Sequence, residues 1–278
     1  MSDPRPAVDD GAARLAPDVA RAVRAFANAR DVVVALDFDG VLSPLQDDPA
    51  ASRTLPASAA ALARLAADDG VHLAIISGRP LADLRALAAP PPHTILMGSH
   101  GGEVGEIGAD GDVIAQPLAL SAEQQRLRDA VGAELDAIAE PLDGVWVEHK
   151  PASAVLHTRT ASDDDAAAAT TAALAGPATW RDVHALRGKG VVELPVIAAN
   201  KGDAVRRLRE QVTRGVGAAA VPVLFAGDDV TDEHALAALG GDDLGIKVGS
   251  GATAAAYTVS GCDDIAALLT ELADARAR

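Results

Sequence analysis

The chain has 278 residues, enough for one large domain or two modest ones. Its formal net charge of −16 argues against nucleic acid or an anionic membrane surface as partner, and leaves a small anionic ligand to be decided by local cations. The single cysteine, Cys262, excludes a disulfide within the chain and fits a reducing compartment.

The N-terminal stretch "MSDPRPAVDDGAARLAP" carries prolines and acids but no apolar segment, so residues 1–11 read as a loose tail and not a signal peptide. No apolar run reaches the roughly 18 residues of a membrane span, and a cytoplasmic protein is expected. Val19 to Ala29 reads as a helix. Val32 to Leu36 is a continuous apolar, β-branched run, the pattern of a strand buried on both faces. A helix over Pro56 to Ala67, with Pro56 in its first turn, leads to a second such strand, Val71 to Ile76. Leu81 to Ala88 reads as a helix stopped by "PPP", and Thr94 to Met97 as a third strand. Strands alternating with helices predict an α/β fold with a parallel sheet.

The rhythm then changes. Glu103 to Ile114 reads as a hairpin turning at "GADG". Ser121 to Ala139 reads as a helix capped by Ser121 with Gln124 three residues on. Residues 143–159 and 176–196 read as strand pairs around a helix at 162–175, which makes 117–196 a separate α+β unit inserted into a core of 1–116 and 197–278. Asn200 to Thr213 returns to helix, Val221 to Ala226 to a buried strand, Glu233 to Leu239 to helix, residues 244–249 to strand, and Asp263 to Ala275 to a last helix. Trp146 and Trp180 read as core of the inserted unit, and the seven histidines, which lack ligand spacing, as structural or surface groups.

In an open parallel sheet, ligands bind outside the carboxyl ends of the strands. The first strand ends there in Asp37 and Asp39, whose spacing lets both carboxylates face one site. The second ends in Ser77 and Gly78, and Val221 to Ala226 runs into Asp228 and Asp229, with Asp232 nearby. Lys201 opens a helix. Like charges ~4 Å apart cost on the order of 4 kcal/mol at an effective dielectric of ~20, and a hard divalent cation removes that cost. Oxygen-only ligation favours Mg2+ over zinc. A metal, a free carboxylate, a hydroxyl and a lysine suit a phosphoryl group. "GDDVTDE" also reads as a loop before a capped helix, with Thr231 or Asp232 as cap.

Four segments, "DFDGVL" at 37–42, "SGR" at 77–79, "NKG" at 200–202 and "GDDVTDE" at 227–233, resemble in order the motifs of haloacid dehalogenase-type phosphatases. The resemblance implies a Rossmann-like parallel-sheet core with an inserted α+β cap domain. By position, Asp37 would be the nucleophile and Asp39 the general acid and base. Asp37, Asp39 (through its carbonyl) and Asp228 would hold Mg2+, with Asp229 and Asp232 in support. Ser77, Gly78 and Lys201 would bind phosphate. One departure is Val41, where that superfamily usually has threonine. Within it, "VEHKPASAVLHTR", "RGKGVVELP" and "GSHGGE" resemble trehalose-6-phosphate phosphatases. That likeness implies sugar recognition by Glu148, Lys150, Lys189 and Glu193 on the cap, with Arg79 and Glu103 assisting near the hinge. The charged cap positions also read as a solvated strand face, and "GSHGGE" as a hinge. A monomer acting on a small-molecule sugar phosphate is expected. Other sugar phosphates (sucrose 6-phosphate, mannosyl- or glucosyl-3-phosphoglycerate), a phosphomutase or a non-catalytic sensor are the competing readings.

Overall fold

A computed structural model describes residues 15–116, 120–188, 190–197 and 200–278. The tail expected over 1–11 and Lys189 lie outside the described residues. Among these residues the strands form two sheets.

The larger sheet is built from β1 (Val32–Leu36), β2 (Val71–Ile76), β3 (Ile95–Gly98), β4 (Glu103–Ile107), β5 (Val113–Gln116), β10 (Val223–Gly227), β11 (Leu244–Val248) and β12 (Tyr257–Val259). Their order is β12-β11-β10-β1-β2-β3-β4-β5. Pairing is parallel from β12 through β3 and antiparallel from β3 to β5. The chain leaves β1 toward β2 and β3 on one side and returns through β10, β11 and β12 on the other. The strand order therefore reverses between β1 and β10, and the crevice for a ligand opens above that gap.

The two faces of β1 follow from its alternation. Val32, Val34 and Leu36 enter one apolar cluster, with side chains of α1 (Pro17–Phe26), α2 (Pro56–Leu65), α3 (Leu81–Ala88) and α8 (Cys262–Arg276). Val33 and Ala35 enter the other, under α6 (Lys201–Val216) and α7 (Glu233–Leu236). Burying each such Val, Leu or Ile contributes about 1.5–3 kcal/mol, and it makes the carboxyl ends of these strands a rigid platform.

The second sheet has the order β6-β7-β9-β8, all antiparallel, from β6 (Trp146–His149), β7 (Ser153–His157), β8 (Leu186–Gly188) and β9 (Val191–Pro195). Helices α4 (Ala122–Ala139) and α5 (Asp163–Ala175) cover one face, burying Ala154, Leu156, Val192 and Leu194 with Val131 and Leu135 in an apolar cluster separate from the other two. The predicted capping box at α4 is present: Ser121 Oγ accepts from Gln124 N at 3.2 Å, and Gln124 Oε1 accepts from Ser121 N at 2.9 Å. Among the described residues no helix is long and apolar enough to cross a membrane.

Several boundaries shift for local reasons. Helix α1 begins at Pro17, whose fixed φ suits a first turn. Helix α6 continues to Val216 and stops where Gly217 turns left-handed at φ +68°. Helix α7 ends at Leu236, short of the expected Leu239. Of the two expected caps, Thr231 or Asp232, Asp232 takes the N-cap position of α7 but its side chain makes no cap hydrogen bond there, while the short helix before it, Val230–Asp232, is capped by Asp229, whose side chain accepts from Val230 N.

Candidate active site

The site grows from the end of β1. Asp37 is still tethered to β10, its N–H donating to the Ala226 carbonyl at 3.0 Å. The chain then doubles back: Gly40 adopts φ +74°, and its N–H donates to the Ser43 carbonyl. A Cβ on Gly40 would lie 2.0 Å from Asp228 Oδ2, so this glycine lets the first loop touch the fourth. Val41 is fully buried in the apolar cluster beside Phe38 and Leu42, so that position contributes packing.

Asp37 and Asp39 line one cleft, yet their carboxylates find different partners. Asp37 Oδ1 accepts from Phe38 N at 2.7 Å, and Oδ2 lies 2.8 Å from Lys201 Nζ. Asp39 turns to Arg79, accepting from Nε at 2.6 Å and Nη2 at 2.7 Å in a bidentate pair. Ser52, a residue the sequence did not single out, donates its hydroxyl to Asp39 Oδ1 at 3.1 Å and is itself 2.9 Å from Arg79 Nη2. The guanidinium also lies 5.4 Å from the Phe38 ring centroid. The hydrogen bonds that Arg79 donates to Asp39 outweigh burial, which acts the other way, and push the Arg79 pKa up. Arg79, expected on the sugar, is in this structure a partner of Asp39.

Ser77 is held at the end of β2, its N–H donating to the Met97 carbonyl at 2.9 Å, and its Oγ accepts from Arg79 N. Lys201 is the first residue of α6, placed there because Asn200 caps the helix by accepting from Asp203 N at 2.9 Å. A Cβ on Gly202 would lie 2.4 Å from the His234 carbonyl oxygen, so "NKG" needs its glycine for α6 to approach α7. The lysine is buried, with Nζ 2.6 Å from Asp232 Oδ1 as well as beside Asp37. Burial alone would strip its proton, but the two carboxylates outweigh that and its pKa is raised.

Asp232 is fully buried and its second oxygen accepts from Asp228 N and Asp229 N, both at 2.9 Å. Asp229 is spent on its cap. Lys247 on β11, also missed by sequence reasoning, donates to the Asp228 carbonyl at 2.7 Å and lies 3.5 Å from Glu233 Oε1. Asp37, Asp228 and Asp232 each offer an oxygen within 4.8 Å of the others. Burial pushes Asp37 up to about 7, with Lys201 opposing and Asp232 reinforcing. Burial and then Asp232 push Asp228 up to about 6. These are carboxylates that resist ionising together, and Lys201 balances only one of three charges. A hard divalent cation fits the all-oxygen set. Asp229, expected in support of the metal, turns its carboxylate to Val230 N, whereas Asp39 was expected to offer only its carbonyl, and its pairing with Arg79 does not involve that carbonyl. Cys262 is half-buried, and burial followed by Asp228 pushes its thiol up to about 11, so it stays protonated and inert.

A second pocket lies between the sheets, with Ser99 and Glu103 on one side and Lys150, Ser153, Leu186 and Glu193 on the other. Glu193 Oε1 accepts from Ser153 Oγ at 2.7 Å and lies 3.4 Å from Lys150 Nζ. Glu103 lines the pocket but spends Oε2 on Leu81 N at the start of α3, at 2.7 Å. Glu148 pairs with His157, Nε2 to Oε2 3.0 Å, and not with Lys150. Trp180 packs against the smaller cluster as expected, whereas Trp146 is half exposed on the face that no helix covers.

Comparison with known proteins agrees with this arrangement. A trehalose-phosphatase family model matches residues 35–259. The trehalose-phosphate phosphatase of Mycobacterium avium (strain 104) is 34% identical over 274 residues, 93% of this chain and 67% of that protein. That of Mycobacterium tuberculosis (strain H37Rv) is 34% identical over 259 residues, 90% of this chain and 62% of that protein. The chain thus spans about two thirds of the curated relatives it matches. Among solved structures, an Aspergillus fumigatus trehalose-6-phosphate phosphatase shares the fold with a TM-score of 0.69 at 24% identity, over 94% of this chain and 99% of that one. The C-terminal domain of Candida albicans trehalose-6-phosphate phosphatase does so with 0.66 at 22% identity, over 95% of this chain and 99% of that one.

Proposed function

The chain belongs to the trehalose-phosphatase family, and from that premise we propose that it hydrolyses trehalose 6-phosphate to trehalose and phosphate. The observation that carries the reading is the convergence of Asp37, Ser77, Lys201, Asp228 and Asp232 at the crevice where the strand order reverses. Asp37 attacks phosphorus, forming an aspartyl-phosphate as the bond to the sugar oxygen breaks. Asp39 gives that oxygen its proton, then takes one from the water that attacks phosphorus and releases Asp37. Lys201 and Ser77 Oγ, with the Gly78 N–H, bind the phosphoryl oxygens. Asp37, Asp228 and Asp232 would hold Mg2+, which when bound neutralises charge on the transferring group.

Glu193, Lys150 and Ser153 line the pocket facing the core and supply adjacent acceptors and donors for sugar hydroxyls. The protein acts as a monomer on a small-molecule sugar phosphate in this reading. Phosphate release over a panel of trehalose 6-phosphate, sucrose 6-phosphate and glucosyl-3-phosphoglycerate, with EDTA and Asp37→Asn as controls, tests it. Turnover is expected with the first substrate, restored by Mg2+ after chelation and absent in the variant. Preference for another sugar would overturn the substrate, and retained activity in Asp37→Asn would remove the nucleophile.

A further inference from the structure

The uncovered face of the second sheet carries an aromatic pair that the reaction above leaves unused. The pairing register sets Trp146 opposite His157 and Glu148 opposite Val155, which in turn faces Glu193. Trp146, Glu148, Ser153, His157 and Glu193 therefore share one face, because cross-strand partners point the same way and alternate residues follow them. The other face, with Ala154, Leu156, Val192 and Leu194, is the one buried under the helices.

On the open face the Trp146 and His157 rings stack with centroids 3.8 Å apart and an angle of 8° between planes. His157 Nε2 lies 3.0 Å from Glu148 Oε2, and since a carboxylate only accepts, that nitrogen carries the proton. The imidazole is thereby pinned by Glu148 and the indole is pinned by the imidazole. Trp146 nevertheless remains 50% exposed, so half of this large apolar ring is open to a ligand while the rest packs on His157. The pair sits one pleat repeat, about 7 Å, beyond the row that carries Glu148 and Glu193, and Glu193 lines the pocket facing the core. Trp146 is also two strands across from Glu193, so their backbones are roughly 12 Å apart, a span that a disaccharide and the indole side chain bridge between them.

We propose that Trp146, steadied by His157 and Glu148, is a platform for the sugar ring farther from the phosphate. A pyranose has an apolar C–H face and a polar rim. The indole takes the face, while the carboxylate and ammonium groups of the neighbouring rows take the rim. The consequence is discrimination: a disaccharide phosphate gains the platform and a monosaccharide phosphate does not reach it. This inference rests on the sugar-phosphate reading of the site.

The chain has only two tryptophans, so Trp180→Phe leaves Trp146 as the sole indole reporter. In Trp180→Phe combined with Asp37→Asn, to prevent turnover, trehalose 6-phosphate should shift or quench the emission saturably, and glucose 6-phosphate should not. If Trp180→Phe fails to fold, the difference between Asp37→Asn and Asp37→Asn/Trp146→Phe reports the same signal. In steady-state assays Trp146→Ala should raise KM for trehalose 6-phosphate about tenfold, with kcat within about threefold and p-nitrophenyl phosphate hydrolysis unchanged, and Trp146→Phe should recover most of the loss. Emission indifferent to trehalose 6-phosphate, or a KM for Trp146→Ala within twofold of wild type, overturns the proposal. Wild-type turnover of trehalose 6-phosphate tests the function separately, because the emission titration reads binding whether or not the chain is active.

Discussion

Replacing Asp228 by asparagine should stabilise the metal-free protein while abolishing its response to a cation. Burial, reinforced by Asp232, raises the Asp228 pKa from 3.8 to about 6. The folded state therefore holds this proton more tightly than the unfolded chain does. Between pH 3.8 and about 6 stability falls as pH rises, and above that window the whole penalty stands. The distance from 3.8 to about 6 corresponds to about 3 kcal/mol. The carboxyl is only half buried, so solvent screening brings the usable figure to about 1–2 kcal/mol. Asparagine keeps the shape that packs on Gly40 and carries no charge. Urea unfolding in EDTA should show Asp228→Asn more stable than wild type by that amount at pH 7.5, with Tm about 2–4 °C higher. The two should converge by about pH 4. Added Mg2+ should raise the wild-type Tm and leave the variant unmoved. A gap that is the same at both pH values, or a variant less stable at pH 7.5, would refute the electrostatic argument.

Gly40→Ala would place a methyl 2.0 Å from Asp228 Oδ2 at φ +74°, so turnover should fall by about 100-fold or more with weakened Mg2+ binding, and activity within tenfold of wild type would contradict the close approach. Arg79→Ala releases Asp39 from its bidentate partner. Sugar-phosphate turnover, which needs the leaving oxygen protonated, should drop about 100-fold, and p-nitrophenyl phosphate hydrolysis less than tenfold; equal losses would deny the positioning role. Asp68 has its pKa lowered by the hydrogen bond from Arg276, which also ties α8 to the carbonyls of Ala27 and Ala29. Its stabilisation is present above pH 3.8 and disappears as pH falls through the lowered value. Asp68→Asn should therefore cost up to about 1 kcal/mol at pH 7, and progressively less as pH falls below 3.8, in denaturant titrations, the pair being partly exposed.

How much of this was legible depends on what each residue's neighbours are. The central strands β1 and β2 could be bounded from their residues alone, because a strand buried on both faces must be apolar without a break, and the polar groups after Leu36 and Ile76 end it. The four motifs carried the phosphate chemistry, and Asn200 and Ser121 announced their helices through side chains that cap the backbone. Strand β12 escaped notice because three residues at a sheet edge leave no periodicity to detect. The hairpin of β4 and β5 was visible, but its antiparallel addition to the core sheet beyond β3 was not, since nothing in a strand's own residues names its partner.

Local sequence therefore determined which backbone segments are buried and which side chains stand at strand ends. Only the tertiary structure decided what those side chains meet. Residues two apart were expected to share a site, and Asp37 and Asp39 do line one cleft, but only the structure showed that within it Asp37 meets Lys201 while Asp39 meets Arg79 and Ser52. Trp146, Val147, Glu148 and His149 alternate in either assignment of inside and outside. Helices α4 and α5 settled the matter by covering the face with Ala154 and Leu156 and leaving Trp146 in solvent. Burial, charge balance and the choice of face arise from contacts between segments far apart in the chain, and no local pattern encodes them.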